Sequence, residues 1–146
     1  NVEEYRIKDF KTVTSPYEGH YLHYDTDVVR QSAARKFSAG DLLIPLDQGG
    51  VKYLLETLEP EATDSYFNWN FFDAILGQKE YYSAYVFEDT AAKLLKENKN
   101  LKIAFEREKA NNSKFATDGR AQLDWIYKHS DYYEKSHLLY PIFRMN

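Results

Sequence analysis

Four histidines, His20, His23, His129 and His137, are the side chains best suited to hold a metal or move a proton. His20 and His23 stand three apart in a run that reads as extended. That spacing sends them to opposite faces unless a bulge intervenes. No H-E-x-x-H or H-x-x-E pattern accompanies any of the four, so each is expected to be structural or solvated. Carboxylates come next. Asp64, Asp73, Glu80 and Glu88 lie in or beside one aromatic stretch, and a facing pair among aromatics is the equipment of a glycosidase. The simpler expectation is a helix cap for Asp64 and a solvated rim for Asp73 and Glu80. Nucleophilic chemistry has little to work with. There is no cysteine, no G-x-S-x-G elbow and no phosphate-binding glycine motif. Gly49-Gly50 precedes a helical pattern and its amides could face an anion, though a glycine pair more simply makes a tight turn.

What remains is a surface chemistry rather than a reaction. Leu58 to Glu88 holds Tyr66, Phe67, Trp69, Phe71, Phe72, Tyr81, Tyr82, Tyr85 and Phe87, interleaved with Asn68, Asn70, Asp73, Gln78 and Glu80. Aromatic rings stack while amides hydrogen-bond, so a groove for a peptide or a glycan is one reading. A packed core or an inter-domain contact is the other. The candidate contact residues are Trp69, Asn68, Asn70, Asp73, Tyr81 and Tyr85.

Those residues need elements to hold them. Glu3 to Phe10 alternates, with Tyr5 and Ile7 on one face and Glu4, Arg6 and Lys8 on the other, which predicts a half-buried strand. Ser15-Pro16 and Gly19 mark a turn. His20 to Arg30 follows as a second extended run with one wet face. Phe37 to Leu46 reads as a turn and a strand, held to a sheet edge by Pro45. Val51, Leu54, Leu55 and Leu58 predict a helix that Pro60 stops. The central stretch is expected to run from an irregular or extended lead-in into a helix from about Asn70, capped by Asp64 or Ser65 and stopped by Gly77. A helix from Glu88 carries the stripe Phe87, Ala91, Leu94 and Leu95, and Asn98-Lys99-Asn100 breaks it. Another runs from Leu101 to about Asn111, and Asp118 caps a last one bearing Leu123, Ile126 and Tyr127. His137 to Met145 is a closing strand or a tail tied onto the core. Strands first and helices after predict an α+β fold, a small antiparallel sheet from the N-terminal part packed with several helices from the C-terminal part.

The totals exclude several classes. At 146 residues, 43% hydrophobic and 29% charged, the chain is expected to form a single domain, residues 1–146, with a real core. A net charge of −4, with Lys and Arg alternating with Glu and Asp, argues against a nucleic-acid partner. No apolar run approaches the roughly 20 residues that span a bilayer, so no transmembrane segment is expected. Thirteen tyrosines suit half-wet surfaces. The opening NVEEYRIKDF has no Met and reads as the middle of a folded protein, which suits a fragment of a larger one.

Three segments together resemble a known family: FSAGDLLIPLDQ (Phe37 to Gln48), LLETLEPEATDSYFNWNFFDAILGQKEYYSAYVFE (Leu54 to Glu88) and the helical tail from Asp89 to His129. Pro16 to His20 fits the same pattern. The chain is similar, from about residue 5 to residue 144, to the C-terminal region of large bacterial zinc carboxypeptidases of the carboxypeptidase A type, found in Bacteroidetes. That family's catalytic domain holds zinc with an H-x-x-E pair and a distant His, and uses a Glu as general base. No position here matches those residues. The resemblance therefore implies a non-catalytic accessory domain of a secreted or periplasmic bacterial protein, with no cofactor of its own and zinc and peptide hydrolysis in the parent. Its implied partner is the peptidase domain of the same parent chain. An independent peptide- or glycan-binding module is the alternative.

Overall fold

Alternation near the N-terminus does make a strand, and a longer one than its pattern marks. The computed structural model describes residues 1–145. Strand β1 spans Val2–Thr12 and β2 spans His23–Ala33. They pair antiparallel from Val2 opposite Ala33 to Thr12 opposite His23. The described residues hold this one two-stranded sheet and five α-helices, an α+β chain as its element order predicts. The chain divides into two compact units. One is Asn1–Gln78 with the chain from Ser136 onward; the other is Lys79–Lys135.

In the first unit, Tyr5 and Ile7 of β1 and Val28 of β2 turn inward and are buried with Phe67 and Tyr140. Burying a large apolar side chain stabilises by roughly 1.5–3 kcal/mol, so these few residues are the sheet's main support. Register slips once on each strand, between Ile7 and Asp9 and between Asp9 and Lys11. Asp25 sits at the second slip with φ 51°. An extra residue there reverses the facing of the residues on either side of it. Hence His23 and Val28, an odd number of residues apart, are both buried.

Two expectations for the sheet need correction. The second strand begins at His23 rather than His20. Glu4 is not on a wet face: it is 4% exposed. Its carboxylate accepts from Arg35 at 2.6 and 2.9 Å and from the Gln31 amide. Burial pushes the Glu4 carboxyl up, but those hydrogen bonds and the Arg35 and Arg6 charges outweigh it and hold the group below its ordinary value. The tail does tie down beside β1. Tyr140 N–H donates to Tyr5 O, Ile7 N–H to Leu138 O, and Glu3 and Arg144 exchange two backbone bonds.

Residues 37–46 form no strand, contrary to the pattern read there. No neighbouring strand offers them a ladder, and Pro45 lacks a donor. Helix α1, Val51–Leu58, has the bounds its pattern predicts and starts after Gly50 at φ 91°. The central stretch reverses its expected order. Ser65 Oγ accepts from Asn68 N–H and Trp69 N–H donates to Ser65 O, a single helical turn with Ser65 as its cap. Asn70 then stands at φ 65°. Phe71 N–H reaches back to Tyr66 O and Asn70 N–H to Phe67 O, the paired bonds that close a helix around a left-handed residue. Asn70 ends a helical turn instead of starting a helix. Only a short 3₁₀ turn, Asp73–Ile75, comes after it.

The second unit is helical: α2 (Ala84–Glu97), α3 (Lys99–Asn111), α4 (Ser113–Thr117) and α5 (Gly119–Lys128). Helix α2 starts four residues before Glu88, after Ser83, whose carbonyl accepts from Val86 and Phe87 N–H. Asn98, Asn112 and Asp118 each end one helix and cap the next, accepting from Leu101, Phe115 and Ala121 N–H at 3.0–3.1 Å. The sequence pattern named the Asn98 break and the Asp118 cap but not α4. Phe87, Ala91, Leu101, Phe105, Phe115, Ile126 and Tyr127 meet in the core, with Leu94, Leu95 and Leu123 against it.

Candidate functional site

The loop between β1 and β2 closes on a two-residue tip. Tyr17 and His20 exchange backbone bonds of 2.9 and 2.8 Å across Glu18 and Gly19. Both central residues have positive φ, 47° and 85°. This turn matches the right-handed twist of a hairpin, and glycine takes the second position at no steric cost. The tip fixes Tyr17 and His20 side by side.

Trp69 and Phe71 meet them from the single helical turn. Their placement follows from Asn70: its left-handed backbone turns the chain between the two rings. Asn70 Nδ2 also donates to Tyr21 O at 2.6 Å, which holds the turn to the hairpin. The ring centres lie 6.1 Å apart for Tyr17 and Trp69, 5.7 Å for His20 and Trp69, and 5.4 Å for His20 and Phe71. Tyr66 continues the row edge-on to Phe71, and its hydroxyl meets that of Tyr53 at 3.2 Å. Tyr17 and Phe71 are about three-fifths exposed, at 58% and 61%, while His20 and Trp69 are half-buried or deeper. The result is a row of aromatic rings at the surface, set on the hydrogen-bonded hairpin tip and the Asn70 turn.

Beneath the row lies a polar node. His23 is buried between the Phe10 and Phe67 rings, 4.5 and 4.9 Å away. Its Nδ1 meets Thr12 Oγ1 at 2.9 Å and its Nε2 meets Asp73 Oδ1 at 2.9 Å. Asn70 Nδ2 also lies 3.1 Å from Nε2; of the two groups at Nε2, an ionised Asp73 only accepts and the Asn70 amide nitrogen only donates. His23 N–H donates to Asn68 O. Asn68 in turn accepts from Thr26 Oγ1 at 2.9 Å and donates to Ala62 O at 2.9 Å. The node locks the central stretch to the sheet.

The six residues singled out from the sequence therefore separate. Asn68, Trp69, Asn70 and Asp73 come together in the first unit. Only Trp69 presents a ring to the surface row. Asn68 is buried and its polar atoms are spent on the fold, and Asp73 serves His23. Tyr81 and Tyr85 belong to the second unit. Tyr81 stacks on Tyr82 at 4.9 Å, and Tyr85 on α2 is exposed. Burial, then the neighbouring Tyr81 and Asp124, push the Tyr82 hydroxyl up to about 12. Asp64 is exposed and leaves capping to Ser65, and Glu80 and Glu88 lie in the second unit. His20 and His23 have different neighbours. Among the described residues no three His, Asp or Glu side chains converge as a metal-holding group.

Comparison with protein-family models, with curated proteins and with solved structures finds nothing that matches this chain. What the site does has to come from its own geometry. Sequence reasoning undervalued Tyr17, His20 and His23. The signal for the first two was Tyr-Glu-Gly-His, a two-residue hairpin tip flanked by rings. His23 carries no such local sign, since its partners Thr12, Asn70 and Asp73 are far apart in the chain.

Proposed function

We propose that this chain is a non-catalytic accessory module of a larger zinc carboxypeptidase, docked on the peptidase region of its parent. One observation carries the reading. Phe37, Leu42, Leu43, Ile44 and Leu46 sit within ten residues of irregular chain, and all are exposed, Leu42 at 87%. These residues lie in the first of the segments that resemble the family. Exposed apolar side chains grouped in this way suit a surface that a partner domain covers. No helix among the described residues is long and apolar enough to cross a membrane, so a bilayer-spanning helix does not account for them. Zinc and peptide hydrolysis belong, in this reading, to the parent, and a secreted or periplasmic location follows from the same resemblance.

The residues encoded upstream provide the test. An H-x-x-E pair with a distant His in a preceding domain supports the reading, and its absence overturns it. A second measurement uses the chain as it stands. Stoichiometric zinc together with peptidase activity in this chain alone would also overturn it.

The alternative, an independent binding module for peptide or glycan, is favoured by a different observation: the surface row of Tyr17, His20, Trp69 and Phe71.

A further inference from the structure

We propose that the row formed by Tyr17, His20, Trp69 and Phe71 is a recognition site for a cationic side chain, an arginine or lysine of a peptide, with Glu18 as its counter-charge. The site stands on the geometry of the first unit and does not depend on the accessory role. Aromatic faces carry negative potential and attract cations within about 6 Å. Elsewhere in the chain this attraction is already used internally: Lys11 lies over Tyr24, Arg30 over Tyr5, Arg35 over Phe143 and Lys109 over Phe105. Among the described residues, none of the row's Tyr17, Trp69 and Phe71 rings has such a partner. The two lysines of β1 are engaged as well, Lys8 with Asp27 and Lys11 with Asp25, each at 2.6 Å.

Glu18 completes the complementarity. It occupies the hairpin tip between Tyr17 and His20, exposed, and its carboxylate has no partner among the described residues. A negative charge beside aromatic rings that hold no internal cation selects a cation over a neutral or acidic group. Ring orientation points the same way. Neighbouring planes are inclined at 63°, 75° and 48°. Rings so inclined present walls to a small cation and no shared flat platform to a run of sugar rings. The backbone is already ordered by the tip and by the Asn70 turn, so binding requires little rearrangement. Arginine is preferred to lysine because its flat guanidinium stacks on rings.

The test is a titration of the whole chain with N-acetyl-Gly-Arg-Gly-amide, followed by the indole N–H resonances of its two tryptophans. Replacing Trp69 by Phe assigns its signal. A saturable shift at Trp69 and none at Trp125 is expected, with affinity on the order of millimolar for an exposed site. The same peptide with citrulline for arginine keeps the shape and loses the charge, and should bind about fivefold more weakly or worse. Glu18→Asn should weaken arginine binding by about threefold or more. Asn suits the left-handed backbone at that position better than Glu, so weakening there is not loss of the turn. Absence of a saturable shift, equal binding of the citrulline peptide, or unchanged binding by Glu18→Asn would overturn the proposal. So would maltotriose shifting Trp69 where the arginine peptide does not, which would make the row a glycan site.

Discussion

Tyr140 and Glu4 show two opposite ways of burying a polar atom. The Tyr140 ring packs against Tyr5 and Phe72, yet its hydroxyl is buried without a hydrogen-bond partner among the described residues. Burial and the Glu59 charge keep that phenol protonated, well above its ordinary range. An unpaired buried hydroxyl costs about 1–3 kcal/mol. Tyr140→Phe is therefore expected to leave stability unchanged or raise it by up to about that amount, as measured by urea unfolding. Glu4 is the satisfied case. Its folded carboxyl lies below the ordinary value of 4.5, so its contribution is complete above that pH and is lost as pH falls through the folded value. The stability gap between the wild-type chain and Glu4→Gln should narrow steadily as unfolding is repeated at pH values below about 4.5. A gap independent of pH would show that the Arg35 and Gln31 bonds do not depend on the charge.

At the scale of elements, short polar residues decide where helices stop and start. Asn98, Asn112 and Asp118 each serve two helices, so each →Ala change is expected to cost about 1 kcal/mol, Asp118 included. Circular dichroism during thermal unfolding measures this. Asn70 behaves differently because its backbone is left-handed. Asn70→Val should be worse than Asn70→Gly, by about 1 kcal/mol or more, since a β-branched residue resists φ near +65°. Equal stability of the two variants would mean that the side-chain bond to Tyr21 O, rather than the turn, is what Asn70 supplies.

At the scale of the whole molecule, apolar residues of similar type have opposite roles. Phe67 is fully buried in the first unit. Phe67→Ala is expected to cost about 3–5 kcal/mol. Leu42 and Leu43 touch little, and the double change Leu42→Ser with Leu43→Ser should alter the stability of the chain by no more than about 0.5 kcal/mol while raising its solubility. Denaturant curves compare the two. A large loss from the double change would place those leucines in a core and remove the observation on which the docked accessory role stands.

Local chemistry made much of this legible in the sequence. Period-two alternation marked β1, the leucine spacing before Pro60 marked α1, and the break at Asn98 and the cap at Asp118 marked the helical unit. These signals work because their causes lie within a few residues of one another. The α+β class follows from their order. Tertiary structure alone decided the rest. Glu4 is buried because chain some thirty residues later brings Arg35 and Gln31 to it. His23 is buried because Thr12, Asn70 and Asp73 converge on it across long stretches of chain. The central stretch runs turn before 3₁₀ because Asn70 accepts a left-handed backbone, a choice that the hairpin contact to Tyr21 O rewards and local propensity does not reveal. The aromatic surplus around Trp69 is divided between core and surface for the same reason. Composition counts rings, but only the hairpin tip and the Asn70 turn determine that Trp69 and Phe71 face Tyr17 and His20 while Phe67 goes inside.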